Sequence, residues 1–177
     1  MKKRILSAVI AIFVIVCLSV SALAEEETPT EYNNMVSLLM EGETGTVLQH
    51  NGGYEKVAQG TLNKLMTVLL TAEEIESGGL SINDVVTVSS NANAQTGAVV
   101  WLMPGEEITI EELLKSVIIG NANDASVALA EIVGGNEEEF TGMMNARAFE
   151  LGMRNTVFKN PAGYDCAGQY SLSLIHI

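Results

Sequence analysis

From Thr61 to Gly152 the chain is written largely in a helical period, and glycines end the stretches. Leu62, Leu65, Met66, Leu69 and Leu70 recur at three- and four-residue spacing, which lines them along one face of a helix that Gly78 and Gly79 stop. After the turn Pro104-Gly105, Leu113, Leu114, Val117 and Ile118 give a second helix its apolar face, from Ile110 to about Ile119. A third is expected from Asp124 through Ala128, Leu129 and Ile132 to Gly134-Gly135. The fourth begins after Asn136, whose side chain suits an N-cap. Glu137, Glu138 and Glu139 follow at the positive end of the helix dipole, and Gly152 closes the run.

Strand signals are shorter. Met35 to Met40 and Thr46 to Gln49 are apolar runs around the turn Glu43-Thr44-Gly45 and read as a hairpin. Val85 to Val88 is a further strand candidate, and Ser89 to Gly97 a polar loop. The fold class is therefore mixed α/β (α+β), dominated by helices.

The first 34 residues read differently. Lys2, Lys3 and Arg4 precede an uncharged apolar stretch from Ile5 to Val20, and Ala22-Leu23-Ala24 supplies small residues before Glu25. That pattern is a secretory signal peptide over 1–24, cut after Ala24. Residues 25–34 are acidic, hold Pro29 and lack periodicity, so they read as a flexible leader to a domain over 35–177. Removing the first 24 of 177 residues takes away three of nine Lys and Arg and none of the 22 acidic residues, leaving a net charge of −16. So acidic a chain argues against nucleic acid and anionic membrane as partners. Of two cysteines only Cys166 lies outside the signal segment, so no disulfide is expected in the mature chain.

The chemistry is bounded first by what is missing. The two histidines, His50 and His176, lie in a turn-like segment and next to the last residue, which disfavours Ser-His-Asp and Cys-His sites. No His, Cys and carboxylate cluster has metal-ligand spacing, so neither a metal nor a cofactor is expected. A hydroxyl can instead be activated by a lysine, and on a helix the i, i+3 spacing brings both side chains to one face. Thr61 and Lys64 have that spacing, but so do Thr156 and Lys159, in a segment that reads as extended. On spacing alone Thr61 is better read as a helix N-cap followed by a surface lysine.

Context shifts that reading. Thr61-Leu62-Asn63-Lys64-Leu65-Met66-Thr67 resembles the Ser-x-x-Lys helix of the serine-type D-alanyl-D-alanine carboxypeptidases, the low-molecular-weight penicillin-binding proteins. Glu43 to Leu48 is similar to that family's opening hairpin, and Pro104-Gly105-Glu106 to the turn before its next helix. Asn121-Ala122-Asn123-Asp124-Ala125 resembles the second motif, usually Ser-x-Asn-Asp-Ala. Met144 to Ala148 and Leu151 to Phe158 match two further segments in the expected order. The departures are as specific. Thr61 stands where the family has Ser, Asn121 where it has the Ser of the second motif, and the third motif, Lys-Thr-Gly, is not found. The likeness stops near Gly168 to Ser171.

The resemblance implies a penicillin-binding, β-lactamase-like transpeptidase fold, of which 35–177 would be the helix-rich part without the C-terminal strands of the sheet. It implies that Thr61 attacks the penultimate D-Ala carbonyl of a peptidoglycan stem peptide, with Lys64 as base, Asn121 at the relay position and Asn123 holding the substrate's amide. To be neutral near pH 7, Lys64 must be brought down from about 10.4, at a cost of about 4 kcal/mol. β-Lactam antibiotics would be acylating ligands, and membrane association would come only through a C-terminal segment outside this sequence. The rivals are a pseudoenzyme that binds stem peptides without turnover, since threonine's methyl crowds the nucleophile, and a β-lactamase.

Overall fold

The computed structural model describes residues 35–173. The chain divides into two compact units, Met1–Thr30 and Glu31–Ile177, and every described residue lies in the second. The expected signal segment over 1–24, its cleavage site and the leader over 25–34 lie outside the described residues.

The hairpin forms as β1 (Ser37–Met40) and β2 (Val47–Asn51), paired antiparallel with an irregularity between Leu39 and Met40. A 3-10 turn, Gly60–Leu62, leads into α1 (Asn63–Ser77), which Gly78 ends in the left-handed conformation. Next come β3 (Val85–Thr87), the short α2 (Ser90–Asn93) and β4 (Glu107–Thr109), then α3 (Ile110–Gly120), α4 (Asn123–Gly134) and α5 (Glu137–Glu150). β3 and β4 form a second two-stranded antiparallel sheet. The four helices stand close to where the periodicity puts them. α2 and β4 were not foreseen: α2 exists because the Ser89 hydroxyl accepts from Ala92 N at 2.9 Å within the expected loop.

Helix starts follow from side-chain chemistry. Thr109 and Glu112 form a reciprocal capping box at α3, and Asn136 Oδ1 accepts from Glu139 N at 2.8 Å at α5. α1 departs from expectation. Thr61 sits in the 3-10 turn ahead of it and caps nothing with its side chain.

α4 is the centre of the fold. Every residue from Asn123 to Ala130 is buried, as expected of a helix packed on all sides, and α1, α2, α3 and α5 all pack against it. One core cluster holds Leu102, Ile110, Leu113, Val117, Val127 and Leu129; the other joins Met66, Leu70, Ala130, Phe140, Met144 and Phe158. Each large side chain fully buried there contributes about 1.5–3 kcal/mol. The consequence for the site is positional, because α4 fixes Asn123 and Asp124 in its own first turn and holds α1 beside it.

Candidate active site

The N-terminal half of α1 buries polar groups. Asn63, Thr67 and Thr71 are fully buried and Lys64 is 4% exposed. Groups like these are tolerated in a core only when hydrogen-bonded; Thr71 Oγ1 donates to Thr67 O at 2.8 Å within the helix, and the partners of the other three come from the segment 160–169. Asn63 Nδ2 donates to Asn160 O at 2.9 Å and to Gln169 Oε1 at 2.8 Å. Lys64 Nζ donates to Ala162 O at 2.7 Å, and Thr67 Oγ1 to Pro161 O at 2.9 Å.

That segment is irregular but firmly tied. Asn160 Oδ1 accepts from Gly163 N at 2.6 Å and Tyr164 N at 2.9 Å, while Asn160 Nδ2 and Gln169 Nε2 both donate to Tyr164 O at 2.9 Å. Gly163 then passes so close to the backbone of Gly60 and Thr61 that a Cβ there would lie 2.5 Å from the Gly60 carbonyl carbon and 3.0 Å from Thr61 N. Thr61 is exposed, with its backbone backed by this loop.

Burial lowers the pKa of Lys64, because desolvation disfavours the ammonium form. Its recorded partner is a neutral carbonyl rather than a carboxylate, so no opposite charge offsets that push. No hydrogen bond joins Lys64 Nζ to Thr61 Oγ1. The second pair with the same spacing separates clearly from the first. Thr156 Oγ1 bonds Ser171 Oγ at 2.7 Å in a buried, non-helical segment, and Lys159 is exposed.

Asn121 and Asn123 occupy the turn between α3 and α4. Asn121 is the C-cap of α3 at φ 53°, and its N–H bonds Ser116 O. Asparagine is among the few non-glycine residues that adopt this left-handed cap readily, which accounts for Asn121 structurally. Its side chain is exposed and bonds none of the described residues. Asn123 is 8% exposed; its N–H donates to Ala98 O at 2.7 Å and its Nδ2 to Thr96 O at 2.6 Å.

Sequence reasoning missed two residues here. The Asp124 carboxylate, 1% exposed, accepts from Val100 N, Leu102 N and Ala125 N at 2.9–3.2 Å. It thereby fixes both sides of Trp101, which stands at φ 64° and 81% exposed. The Tyr164 hydroxyl donates to Thr96 O at 2.9 Å and accepts from Thr96 N at 3.2 Å. Through Tyr164, the loop that bonds Lys64 is joined to the loop that orients Asn123. Asp124 carried a partial signal as an acid in a helix first turn; Tyr164 carried none.

An apolar cavity of about 660 Å³ lies elsewhere, lined by Leu62, Leu65, Met66, Leu69, Leu151 and Phe158 among others. By helical spacing these α1 residues project away from Lys64 and Thr67. Neither Thr61 nor Lys64 lines it, so it carries none of the candidate chemistry.

Residues 23–173 match the model of the D-alanyl-D-alanine carboxypeptidase family. The D-alanyl-D-alanine carboxypeptidase DacF of Bacillus subtilis is 38% identical over 173 residues, covering 96% of this chain and 44% of the relative. DacC of Escherichia coli is 36% identical, over 76% of this chain and 35% of its own length. Among solved structures, the carboxypeptidase DacD from Francisella tularensis superposes with a TM-score of 0.76 at 31% identity, over 83% of this chain and 36% of that one. Penicillin binding protein 6B from Escherichia coli gives 0.73 at 30% identity, over 82% and 48%. The chain thus spans less than half the length of these relatives. A match over most of the chain, and a mixed α/β fold shared with penicillin-binding carboxypeptidases, place this chain in the D-alanyl-D-alanine carboxypeptidase family.

Proposed function

We propose that the chain carries the acyl-transfer half-site of a peptidoglycan D-alanyl-D-alanine carboxypeptidase. Thr61 Oγ1 attacks the carbonyl carbon of the penultimate D-Ala, and Lys64, uncharged, takes the hydroxyl proton. As the tetrahedral intermediate collapses, Lys64 passes that proton to the scissile nitrogen, the C–N bond breaks and the terminal D-Ala leaves as an amine. The ester left on Thr61 is hydrolysed by water to the shortened peptide's carboxylate and free Thr61. Asn123 Oδ1, which accepts no bond from the described residues, receives an N–H of the substrate. Asn121, at the relay position, contributes an amide where the family has a hydroxyl, so no proton passes through it. The substrate lies outside the cytoplasm, in keeping with a signal peptide cut after Ala24.

The observation that carries this reading is Lys64: buried, paired among the described residues only with a carbonyl, and one helical turn beyond the exposed Thr61. A second reading, a pseudoenzyme that binds stem peptides, draws on the threonine methyl and on the bond that Lys64 makes to Ala162 instead of Thr61. Covalent trapping of labelled penicillin separates the two. The expected result is a mass adduct on Thr61 that Thr61→Ala abolishes and Thr61→Ser forms faster; no adduct on the wild-type chain, with stem-peptide binding retained, would establish the pseudoenzyme. Release of D-Ala is expected to be slow. Loss of a single oxyanion donor costs about 100- to 1000-fold in rate, and no Lys-Thr-Gly strand stands in this sequence to supply one.

A further inference from the structure

We propose that Tyr164 is a positioning residue: its hydroxyl clasps Thr96 across the two loops of the site and so sets the orientation of the Asn123 amide. The inference rests on the reading of Asn123 as the group that holds substrate.

The geometry begins at a fixed point. Tyr164 has its N–H on Asn160 Oδ1 and its carbonyl on both Asn160 Nδ2 and Gln169 Nε2, each at 2.9 Å. Two residues earlier Ala162 O receives Lys64, and Gly163 packs on the Gly60-Thr61 backbone. The ring therefore extends from the same frame that holds the base and backs the nucleophile. Its hydroxyl reaches a loop that is otherwise exposed at Ala94, Thr96, Gly97 and Ala98, and bonds both polar groups of the Thr96 backbone, at 2.9 and 3.2 Å.

Thr96 is also where Asn123 is oriented. Its carbonyl accepts from Asn123 Nδ2 at 2.6 Å, and an amide whose nitrogen is committed to a carbonyl must present its oxygen elsewhere. That assignment holds only while the Thr96 carbonyl stays in place. If the loop is released, Asn123 turns about its terminal torsion, which is broad for an amide, and the acceptor is no longer preset. The Lys64 contact is independent of the hydroxyl, since the loop around Ala162 is held by the Asn160 side chain, whose Oδ1 accepts from Gly163 N and Tyr164 N. The clasp should therefore act on substrate capture and leave the bond-forming step alone.

Tyr164→Phe in the full chain removes the hydroxyl and keeps the ring. Two measurements follow: amide hydrogen exchange of the segment around Thr96, and the dependence of Thr61 acylation on the concentration of labelled penicillin. A hydrogen bond near the surface corresponds to roughly a fivefold change in equilibrium. The expected result is exchange at Thr96 faster by about fivefold, half-maximal acylation at a similarly higher concentration, and a limiting acylation rate unchanged within about twofold. Unchanged exchange would overturn the clasp, and so would a lower limiting rate with the half-maximal concentration unmoved. If the wild-type chain takes up no penicillin, the functional reading fails instead, and the clasp stands or falls on the exchange measurement.

Discussion

Gly163→Ala tests whether the segment 160–169 backs Thr61, the proposed nucleophile. Two costs combine at this position. Gly163 stands at φ +90°, and a residue with a Cβ in left-handed space costs about 1–2 kcal/mol. The added carbon would also overlap the Gly60 carbonyl oxygen and lie 3.0 Å from Thr61 N. These are backbone atoms, so relief requires one of the two segments to move; forcing a carbon into a packed site costs about 1–3 kcal/mol. The sum is about 3 kcal/mol. Gly168→Ala is the matched control. It stands at φ +77°, but its Cβ would meet only Lys159 Cε at 3.4 Å, an ordinary contact, so the conformational cost alone applies. In urea, with a slope of about 1–3 kcal/mol per molar, Gly163→Ala should lower the midpoint by about 1–3 M and Gly168→Ala by roughly one to two thirds of that. Penicillin labelling of the folded fraction should fall for Gly163→Ala only. Equal midpoints and equal labelling would show that the Gly60-Thr61 backbone does not depend on this loop.

Asp124→Asn keeps the shape of the side chain but has one acceptor oxygen where three backbone N–H groups now converge. Each buried donor left unpaired costs about 1–3 kcal/mol, so thermal stability should fall by several degrees and the emission of Trp101, the sole tryptophan, should shift; an unchanged spectrum and melt would refute the clamp. Burial lowers the pKa of Lys64, so between that lowered value and the unfolded value of about 10.4 the unfolded chain holds more protons and stability rises with pH. The expected outcome is that wild type gains stability relative to Lys64→Met, which cannot titrate at this position, as pH climbs through that window, and a difference independent of pH from 6 to about 10.4 would count against a depressed pKa.

How far the sequence reached depends on where each signal resides. α3 and α5 were legible because their information is local: an apolar repeat and a capping side chain within four residues. β3 and β4 are three residues each and are held by pairing with one another, so only Val85 to Val88, with its apolar run, gave itself away. Thr61 and Lys64 were legible by resemblance and not by spacing, since Thr156 and Lys159 share the spacing and end in a different environment. Asn160, Tyr164 and Gln169 were not legible at all. They are polar residues in an irregular stretch, and Asn63 and Lys64 meet that stretch across about a hundred residues of sequence. Hydrogen bonds at that separation leave no periodic trace.

The places where local rules are broken gather around the same elements. Asn63 Oδ1 and Gln59 Oε1 are buried acceptors without a partner among the described residues; they flank the turn that carries Thr61. Lys64 has no counter-charge among the described residues, and Trp101, which stands at φ 64°, borders the Asn123 turn. An unpaired buried acceptor or a strained backbone costs of order 1–3 kcal/mol. Such clustering is expected where packing is subordinate to chemistry. It also ranks what would limit Lys64 in the proposed role of base. For Lys64 to reach Thr61 it must release Ala162 O, a net loss of about 1 kcal/mol, or roughly fivefold in rate. Making the amine neutral near pH 7 in water would cost about 4 kcal/mol, nearly a thousandfold. The larger cost is the one that burial acts upon, so the desolvated pocket beneath α1 matters more to a working base than the missing contact with Thr61.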